Sequence, residues 1–558
     1  MPRPTATQAS SAVAGERQAS TRPLLTVVVP VYNQAGTIVE NVRTIRNRVE
    51  SAIDGAVELI VVSDGSIDRS EERLLEDAAD VARVIHYNRN LGKGYAIKTG
   101  ALAASGEYIS YVDADLDLDP ASIPAFLQLA RDEQLDVVIG SKRHPDSLVH
   151  YPLARRVSSW LYQQLVRLLF RLDVRDTQVG LKVFRREVAE QVLPLLLVKQ
   201  FAFDLELLAV ANALGFGRIR EQPVRLRYRF AGSGVRSAAV LLALVDTAAI
   251  FYRLRILRYY HRKRALLPEV YRRTDHRPSV ALIGVHSPEL EYPELETVRL
   301  DADTPPARLE AARHVDANVV AFLAPEATPA GNWLESSVPF LANPEIAAVV
   351  TASMTPHVGS TRQRATAAVQ ESRLGGGSHH FRFTPGNLRF VRQFPATNVV
   401  VRRDDLLTLD AESAHPHRLC ATLNAQGRKV LYTPESVIVA PRPPLFGPHL
   451  AEVRAAGRAR GHAIREQGFR GITLASLPPL ALLAFLIFGW PLALAGGGLL
   501  DTWLALWSAY GAAVFISGSF AALRFQSVRV GLLAMVGVIA VHVVYAIGVL
   551  RGVLHRPE

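Results

Sequence analysis

The stretch GEYISYVDADLDLDP, residues 106–120, reads as a strand that ends in acid. Tyr108 to Val112 is an aromatic and β-branched run, and Asp113, Asp115, Asp117 and Asp119 follow it at alternate positions. Four carboxylates this close repel one another unless cations or amides neutralise them. Hard oxygen ligands at a strand end suit Mg²⁺ or Mn²⁺, with substrate phosphates completing the coordination shell. Asp119 has a second reading, because DPASIPAF looks like a helix start with Asp119 as N-cap and Pro120 in the first turn. Asp119 is assigned to the cap and the other three to the metal.

Outward from this stretch the same alternation recurs. LLTVVVPVY from Leu24, VELIVVSDGS, ARVIHY and LDVVIGSK are buried-strand patterns, separated by segments of helical spacing such as VENVRTIRNRVESAI. This predicts an α/β domain with a mostly parallel sheet, in which a ligand lies outside the carboxyl ends of the strands. Asp64, the Asp113–Asp119 cluster and Lys142 all fall at such ends. Asp64 stands on a βα turn, where a carboxylate can accept hydrogen bonds from a ribose or a base edge. In NRNLGKGYAIKTG, Gly92 and Gly94 flank Lys93 ahead of a helical run; it is not a Walker A sequence, and by itself a Gly-Lys-Gly is a weak phosphate signal.

The chain has 558 residues, a size for several domains. Lys+Arg 63 against Asp+Glu 52 gives a net charge of +11, yet 49% of the residues are hydrophobic. That pairing splits along the sequence into soluble and membrane-embedded parts. The single cysteine, Cys420, excludes a disulfide framework and any multi-cysteine metal site. Total charge is not read as nucleic-acid binding; only clustered charge counts. Such a cluster lies between positions 217 and 264, where twelve basic residues face only Glu221 and Asp246, next to apolar helices. It reads as docking on an anionic membrane surface, against the plainer alternative of a solvated helix face.

Residues 1–22 are polar and Pro-containing with no signal-peptide core, so a disordered tail is expected there and a cytosolic location for the domain after it. A domain at 23–264, a linker at 265–278, a second and looser α/β domain at 279–470 and a membrane domain at 471–553 complete the expected layout. Between Arg470 and Arg524 the one formal charge is Asp501, which allows two spans, and residues 530–550 allow a third. The prolines Pro478, Pro479 and Pro491 leave a re-entrant first segment as an alternative. The expected location is a multi-pass cell-membrane protein with its first domain in the cytosol.

VVVPVYNQAGTI, VELIVVSDGSID, NLGKGYAIKTGALAASGEYISYVDAD, VIGSKR, RDTQVGLKVFRREV and FAFDLELLAVANALG follow one another over residues 24–230. In this order they resemble the family 2 glycosyltransferases, and among them the dolichyl-phosphate glucose and mannose synthases. The resemblance implies a GT-A fold. It implies that Pro30, Tyr32 and Asp64 hold the nucleotide of a UDP- or GDP-hexose, with Lys93 and Lys142 at the diphosphate. Asp113 would serve ribose and cation, Asp115 and Asp117 the Mg²⁺ or Mn²⁺, and Asp113, Asp115 and Lys142 form the implied catalytic set. Arg143, Arg155, Asp176 and Gln178 are assigned to the acceptor, a polyprenyl phosphate lipid at the membrane. The chain departs from the family pattern at Gln34 (usually Glu), at Ser63 (usually Asp) and at Lys142, beside Arg143, where Arg is usual. Region 279–470 resembles the family too, but Leu323, Ala324, Pro325 and Glu326 leave one carboxylate where an acidic pair is expected, and AHPHRLC replaces another. A degenerate, non-catalytic GT-A-like domain is therefore expected there, and His379, His380, His415 and His417 are read as incidental.

A phosphate monoester acceptor is already largely ionised at neutral pH, with a second pKa of ~6, and needs no general base. A hydroxyl acceptor on a polysaccharide or glycolipid would need one, and Asp204 or Glu206 would then become essential. A reading of another class is a non-catalytic assembly or sensing subunit.

Overall fold

The computed structural model describes residues 22–555 apart from 88, 148–152, 201, 227–236, 266, 268–276, 287, 289, 291, 357–358, 469–476 and 495–497, and omits the side chains of 153–159, 237–242 and a few positions in the C-terminal helices. Most of the expected N-terminal tail, most of the 265–278 linker and the side chain of Arg155 lie outside the described residues.

The first sheet is built from β1 (Leu25–Val31), β2 (Val57–Asp64), β3 (Arg83–Tyr87), β4 (Tyr108–Val112), β5 (Val137–Ser141), β6 (Leu181–Arg185) and β7 (Ile219–Pro223), in the order β3-β2-β1-β4-β6-β5-β7. All neighbours are parallel except β6, which runs against both β4 and β5. The continuous apolar runs are buried on both faces because helices cover both. Helix Ile38–Glu50 presents Ile38, Val42, Ile45 and Val49 to one face, a 3–4 residue spacing. Helix Lys93–Ala103 covers the other and is buried all round, from Gly94 to Leu102.

That second burial comes from the rest of the chain. A mixed eight-stranded sheet is made of β8 (Val280–Gly284), β9 (Leu295–Arg299), β10 (Val319–Leu323), β11 (Thr328–Pro329), β12 (Ile346–Met354), β13 (Arg389–Phe390), β14 (Val399–Arg402) and β15 (Lys429–Val439). Tyr95 of the first domain donates its hydroxyl to the Pro434 carbonyl, 2.9 Å away. One continuous apolar core runs from Val28 and Ile60 through Ala96 and Ile97 to Val350 and Tyr432. The two sheets therefore share a core.

The second sheet repeats the topology of the first. Its path β9-β8-β10-β14-β12-β15 corresponds to β2-β1-β4-β6-β5-β7 in chain order and in the sense of every pairing. Val112 pairs with Leu181, the first residue of β6, and Phe322 pairs with Val399, the first residue of β14. By that register Leu323 stands where Asp113 does, and Pro325 where Asp115 does. Leu116 and Glu326, one residue further on in each half, both have left-handed backbone.

At the C-terminus two helices among the described residues, Leu499–Arg524 and Val528–Leu554, are long and apolar enough to cross a membrane. The first apolar segment forms a helix of 17 residues, Leu477–Ala493, with Pro491 inside it. Helix Val528–Leu554 is not free of the rest of the chain. Gly537 meets Val369 and Leu445, and Gly548 and Gly552 meet Gly457 and Gly461 of helix Leu450–Gln467. His542 Nε2 lies 2.9 Å from the Leu374 carbonyl.

Candidate functional site

The candidate site lies at the carboxyl ends of β1, β2 and β4, as the sequence predicts. The loop after β1 is fixed to the loop after β2: Asn33 N donates to Ser66 Oγ (3.2 Å), Gln34 N to Ser70 Oγ (2.7 Å) and Ala35 N to Asp68 Oδ2 (2.9 Å), while Ile67 N donates to Asn33 Oδ1 (2.9 Å). Burial works against ionisation of Asp68, but donors from Ser70 and Ala35 outweigh it and hold its carboxyl below the usual value. Between these loops Tyr32 leaves its ring 43% exposed, a flat apolar face at the rim. Pro30 is half-buried beneath it, paired with Val62 of β2. The staple residues Asn33, Ser66, Asp68 and Ser70 are not among those the sequence singles out. Their one signal is the Asp-x-Ser and Ser-x-Asp spacing around the turn, which is that of side chains that bond nearby backbone.

Asp64 turns inward. Its carboxylate accepts from Tyr87 OH (2.9 Å), Leu91 N (2.7 Å) and Gly92 N (2.9 Å), and so fixes the strap of residues 89–93 that leads into helix Lys93–Ala103. Gly92 is required in that strap: its φ is +107°, and a Cβ there would stand 2.4 Å from the Lys199 carbonyl. Burial pushes Asp64 up to about 6 against these three donors. A carboxyl raised in the folded state contributes stability below its unfolded pKa and loses it as pH rises through the folded value. The difference in unfolding free energy between the wild type and Asp64→Asn is therefore expected to shift against the wild type between about pH 4 and pH 7, by an amount on the order of 2–3 kcal/mol. Thermal unfolding across that range checks it.

Lys93, the first residue of its helix, forms an ion pair with Asp113 at the end of β4. Burial alone would lower the Lys93 ammonium, but Asp113 and Asp204 raise it above its ordinary value. Gly180 makes the approach possible, since a Cβ there would lie 2.2 Å from Asp113 Oδ2 and 2.9 Å from Lys93 Nζ. Asp115 is exposed and has no ion pair among the described residues; its Oδ1 accepts from Asp117 N at 3.0 Å. Partial burial and the charge of Asp113 raise its carboxyl. Asp119 caps the turn Pro120–Ser122, accepting from Ala121 N (3.1 Å), and pairs with Arg48 (2.8 Å).

On the far side of β4, Asp176 accepts from the backbone N–H of Lys142 (3.2 Å) and of Gln178 (3.1 Å), drawing the loop after β5 to the loop before β6. Gln178 reaches Tyr162 OH at 3.4 Å. The Lys142 ammonium has no hydrogen-bond partner among the described residues, and Arg143 N donates to Ser141 Oγ. The structure thus brings Asp113, Asp115, Lys93 and Gly180 together, with Lys142, Asp176 and Gln178 along one flank and Tyr32 at the rim.

Among the described residues no three His, Cys, Asp or Glu side chains form a metal-binding group. The donor set nevertheless fits a hard cation of the kind that takes one or two carboxylates and completes its shell from phosphate oxygens. Asp115 is the unneutralised carboxylate and Asp113 its neighbour.

Asp204 and Glu206 are engaged elsewhere. Asp204 accepts from Lys182 Nζ and Tyr111 OH beneath the sheet end. Glu206 accepts from Leu197 N (2.8 Å), Val198 N (2.7 Å) and Tyr260 OH. Six of the twelve clustered basic residues are also occupied: Arg218 with Asp136, Arg220 with Glu133, Arg253 with Glu206, Arg262 with the Leu257 carbonyl, Lys263 with the Leu388 carbonyl, and Arg264 with Gln191 and the Leu214 carbonyl. Arg227, Arg229 and Arg236 lie outside the described residues. On the helices Leu153–Phe170 and Ser237–Phe251 and the turn Tyr252–Ile256, the side chains of Trp160, Leu161, Leu168, Val245, Tyr252 and Ile256 are exposed.

Comparison with known proteins bears on residues 26–193, which match the family model for glycosyl transferase family 2. The chain carries a family 2 glycosyltransferase domain there. It is 35% identical over 227 residues to Glycosyltransferase AglD of Haloferax volcanii, covering 40% of this chain and 35% of that protein. It is 32% identical over 206 residues to the dolichyl-phosphate beta-glucosyltransferase of Drosophila melanogaster, covering 34% of this chain and 63% of that one. The corresponding enzyme of Trichomonas vaginalis is 29% identical over 241 residues, with 41% and 74% covered. The chain thus spans about a third of AglD. Among solved structures, glucosyl-3-phosphoglycerate synthase of Mycobacterium tuberculosis in complex with Mn²⁺, UDP and glucosyl-3-phosphoglycerate is 22% identical, with a TM-score of 0.32 over 41% of this chain and 79% of that chain.

Proposed function

We propose that this chain is a membrane-associated, inverting glycosyltransferase that moves a hexose, glucose or mannose, from a UDP- or GDP-sugar to a polyprenyl phosphate. The observation that carries the proposal is the convergence of Asp113, Lys93 and Gly180 beside the unpaired Asp115, within the family 2 domain. Tyr32 offers its exposed ring to the base. Lys93 stands at a helix N-terminus, where the helix dipole favours phosphate, although the Gly94 and Tyr95 amides are taken by the Lys199 carbonyl. Lys142 brings a second ammonium from the opposite flank. Asp115, with Asp113 and Asp117 adjacent, would hold Mg²⁺ or Mn²⁺, which when bound supplies charge stabilisation to the departing diphosphate.

The acceptor reading rests on what the carboxylates do. An ionised phosphate attacks without a base, whereas a hydroxyl acceptor would need one, and the candidates are buried and engaged, Asp204 through Oδ1 with Tyr111 and Lys182 and Glu206 with the Leu197 and Val198 amides and Tyr260. That favours the phosphate. The exposed apolar side chains around Trp160 and Tyr252, interleaved with arginines, suit a bilayer surface on which a lipid acceptor would arrive. Asp176, Gln178, Arg143 and Arg155 belong to this flank as acceptor-side residues in the proposal. In the second half, Leu323 and Pro325 occupy the register of Asp113 and Asp115, which supports a non-catalytic repeat of the first domain.

The test is a panel of radiolabelled UDP-glucose and GDP-mannose with polyprenyl phosphate, using the full chain in detergent. A lipid-linked sugar is expected, formed with inversion and lost on adding EDTA. No lipid-linked product with any donor would overturn the proposal, and product with a hydroxyl acceptor alone would replace it by the polysaccharide or glycolipid reading.

A further inference from the structure

Two ion pairs tie β3 of the first sheet to the second half of the chain, and they differ in what they hold. At the start of β3, Arg83 pairs with Glu335, which also lies 3.8 Å from Arg277. Just beyond its end, Arg89 makes a two-pronged pair with Glu371, the last residue of helix Thr361–Glu371; their side chains are 6% and 2% exposed. Glu371 receives a third donor. Arg524, the last residue of helix Leu499–Arg524, reaches Glu371 Oε2 at 3.0 Å. The next residue, Phe525, lies under the Arg89 guanidinium at 5.1 Å and the Arg364 guanidinium at 5.8 Å, and its carbonyl accepts from Arg364. One carboxylate therefore joins the first domain, the second half and the turn between the two apolar helices.

Arg89 opens the strap 89–93. Two residues on, the Leu91 and Gly92 amides bind Asp64, and Lys93 then pairs with Asp113. With Glu371 neutral, the buried Arg89 guanidinium would face the half-exposed Arg524 guanidinium with no carboxylate between them, and like charges at reduced effective dielectric separate. Apart from Glu371, the strap is held by the Leu91 and Gly92 amides on Asp64, by the Arg89 amide on the Tyr87 carbonyl and by Lys93 on Asp113, so a displacement of Arg89 is passed along it to Lys93.

We propose that Glu371 is a positioning residue for donor binding: it clamps the 89–93 strap, and through it Lys93, and so makes nucleotide binding by the first domain depend on the second half and on the docked helical hairpin. This rests on the nucleotide-sugar reading given above. It also gives the second half a role that needs no catalytic carboxylates.

The experiment measures UDP and GDP binding by calorimetry on the full chain in detergent, together with KM for the nucleotide sugar. Glu371→Gln is expected to weaken nucleotide binding and raise donor KM roughly tenfold, with acceptor KM unchanged. Glu335→Gln, which cuts the other tie, is expected to stay within about twofold of wild type on the same scale. Glu371→Asp retains the charge and is expected to fall between wild type and Glu371→Gln, and it serves if the Gln variant does not fold. Equal nucleotide binding by wild type and both Glu371 variants would overturn the clamp, as would equal losses in the Glu371 and Glu335 variants. A wild-type chain that binds neither UDP nor GDP would instead overturn the nucleotide-sugar reading.

Discussion

Asp115→Asn is expected to lower hexosyl transfer by about 10²- to 10³-fold while leaving the melting temperature unchanged or slightly raised. The reason lies in its surroundings. Asp115 is exposed, has no ion pair among the described residues, and sits two residues from Asp113 and from Asp117. Its negative charge is therefore opposed by its neighbours in the free protein, and the amide removes that repulsion at no structural cost. During transfer the same charge would oppose the positive charge of a cation on the departing diphosphate, so its loss appears in turnover. Initial rates with saturating donor, alongside a thermal unfolding curve, separate the two effects. A variant with wild-type turnover would remove Asp115 from the catalytic set and favour the assembly-subunit reading.

Asp204→Ala is expected to have the opposite signature, a loss of stability on the order of 3–5 kcal/mol. Lys182 is completely buried in β6, and Asp204 is its charged partner. Removing the carboxylate leaves an ammonium without a counter-charge and deprives the Tyr111 hydroxyl of its acceptor. Burial already pulls the Lys182 ammonium down despite Asp204, so the lysine would be forced neutral. The double variant Lys182→Met with Asp204→Leu removes both charges and is expected to recover most of the loss, because a well-packed apolar pair can replace a buried ion pair. Thermal unfolding of the single and double variants in detergent measures this. Recovered stability together with recovered transfer would show that Asp204 supports the floor of the site; recovered stability without transfer would point to Asp204 as a base and revive the hydroxyl acceptor.

Much of this site is legible in the sequence. A run such as ISYV ending in Asp-Ala-Asp is a strand with its charge at one end, and strand ends of parallel sheets are where ligands bind. Asp119 is readable as a cap from Pro120 alone. The turn around Asp64 has the pattern of a nucleotide contact, while its actual donors come from 91 and 92 in the adjacent βα loop and from Tyr87 of β3. Glu371 carries no signal: a Glu at the end of an amphipathic helix looks solvated until Arg89 and Arg524, 282 and 153 positions away, are brought to it.

The sequence by itself determined the alternation of strand and helix, the placing of acid and lysine at strand ends, and the apolar C-terminus, because side-chain periodicity and turn chemistry are local properties. Tertiary structure alone decided which carboxylates are free and which are pinned. It also decided that the second half repeats the topology of the first and shares its core. Charge pairing and sheet order depend on contacts between residues hundreds of positions apart, and no local pattern encodes them.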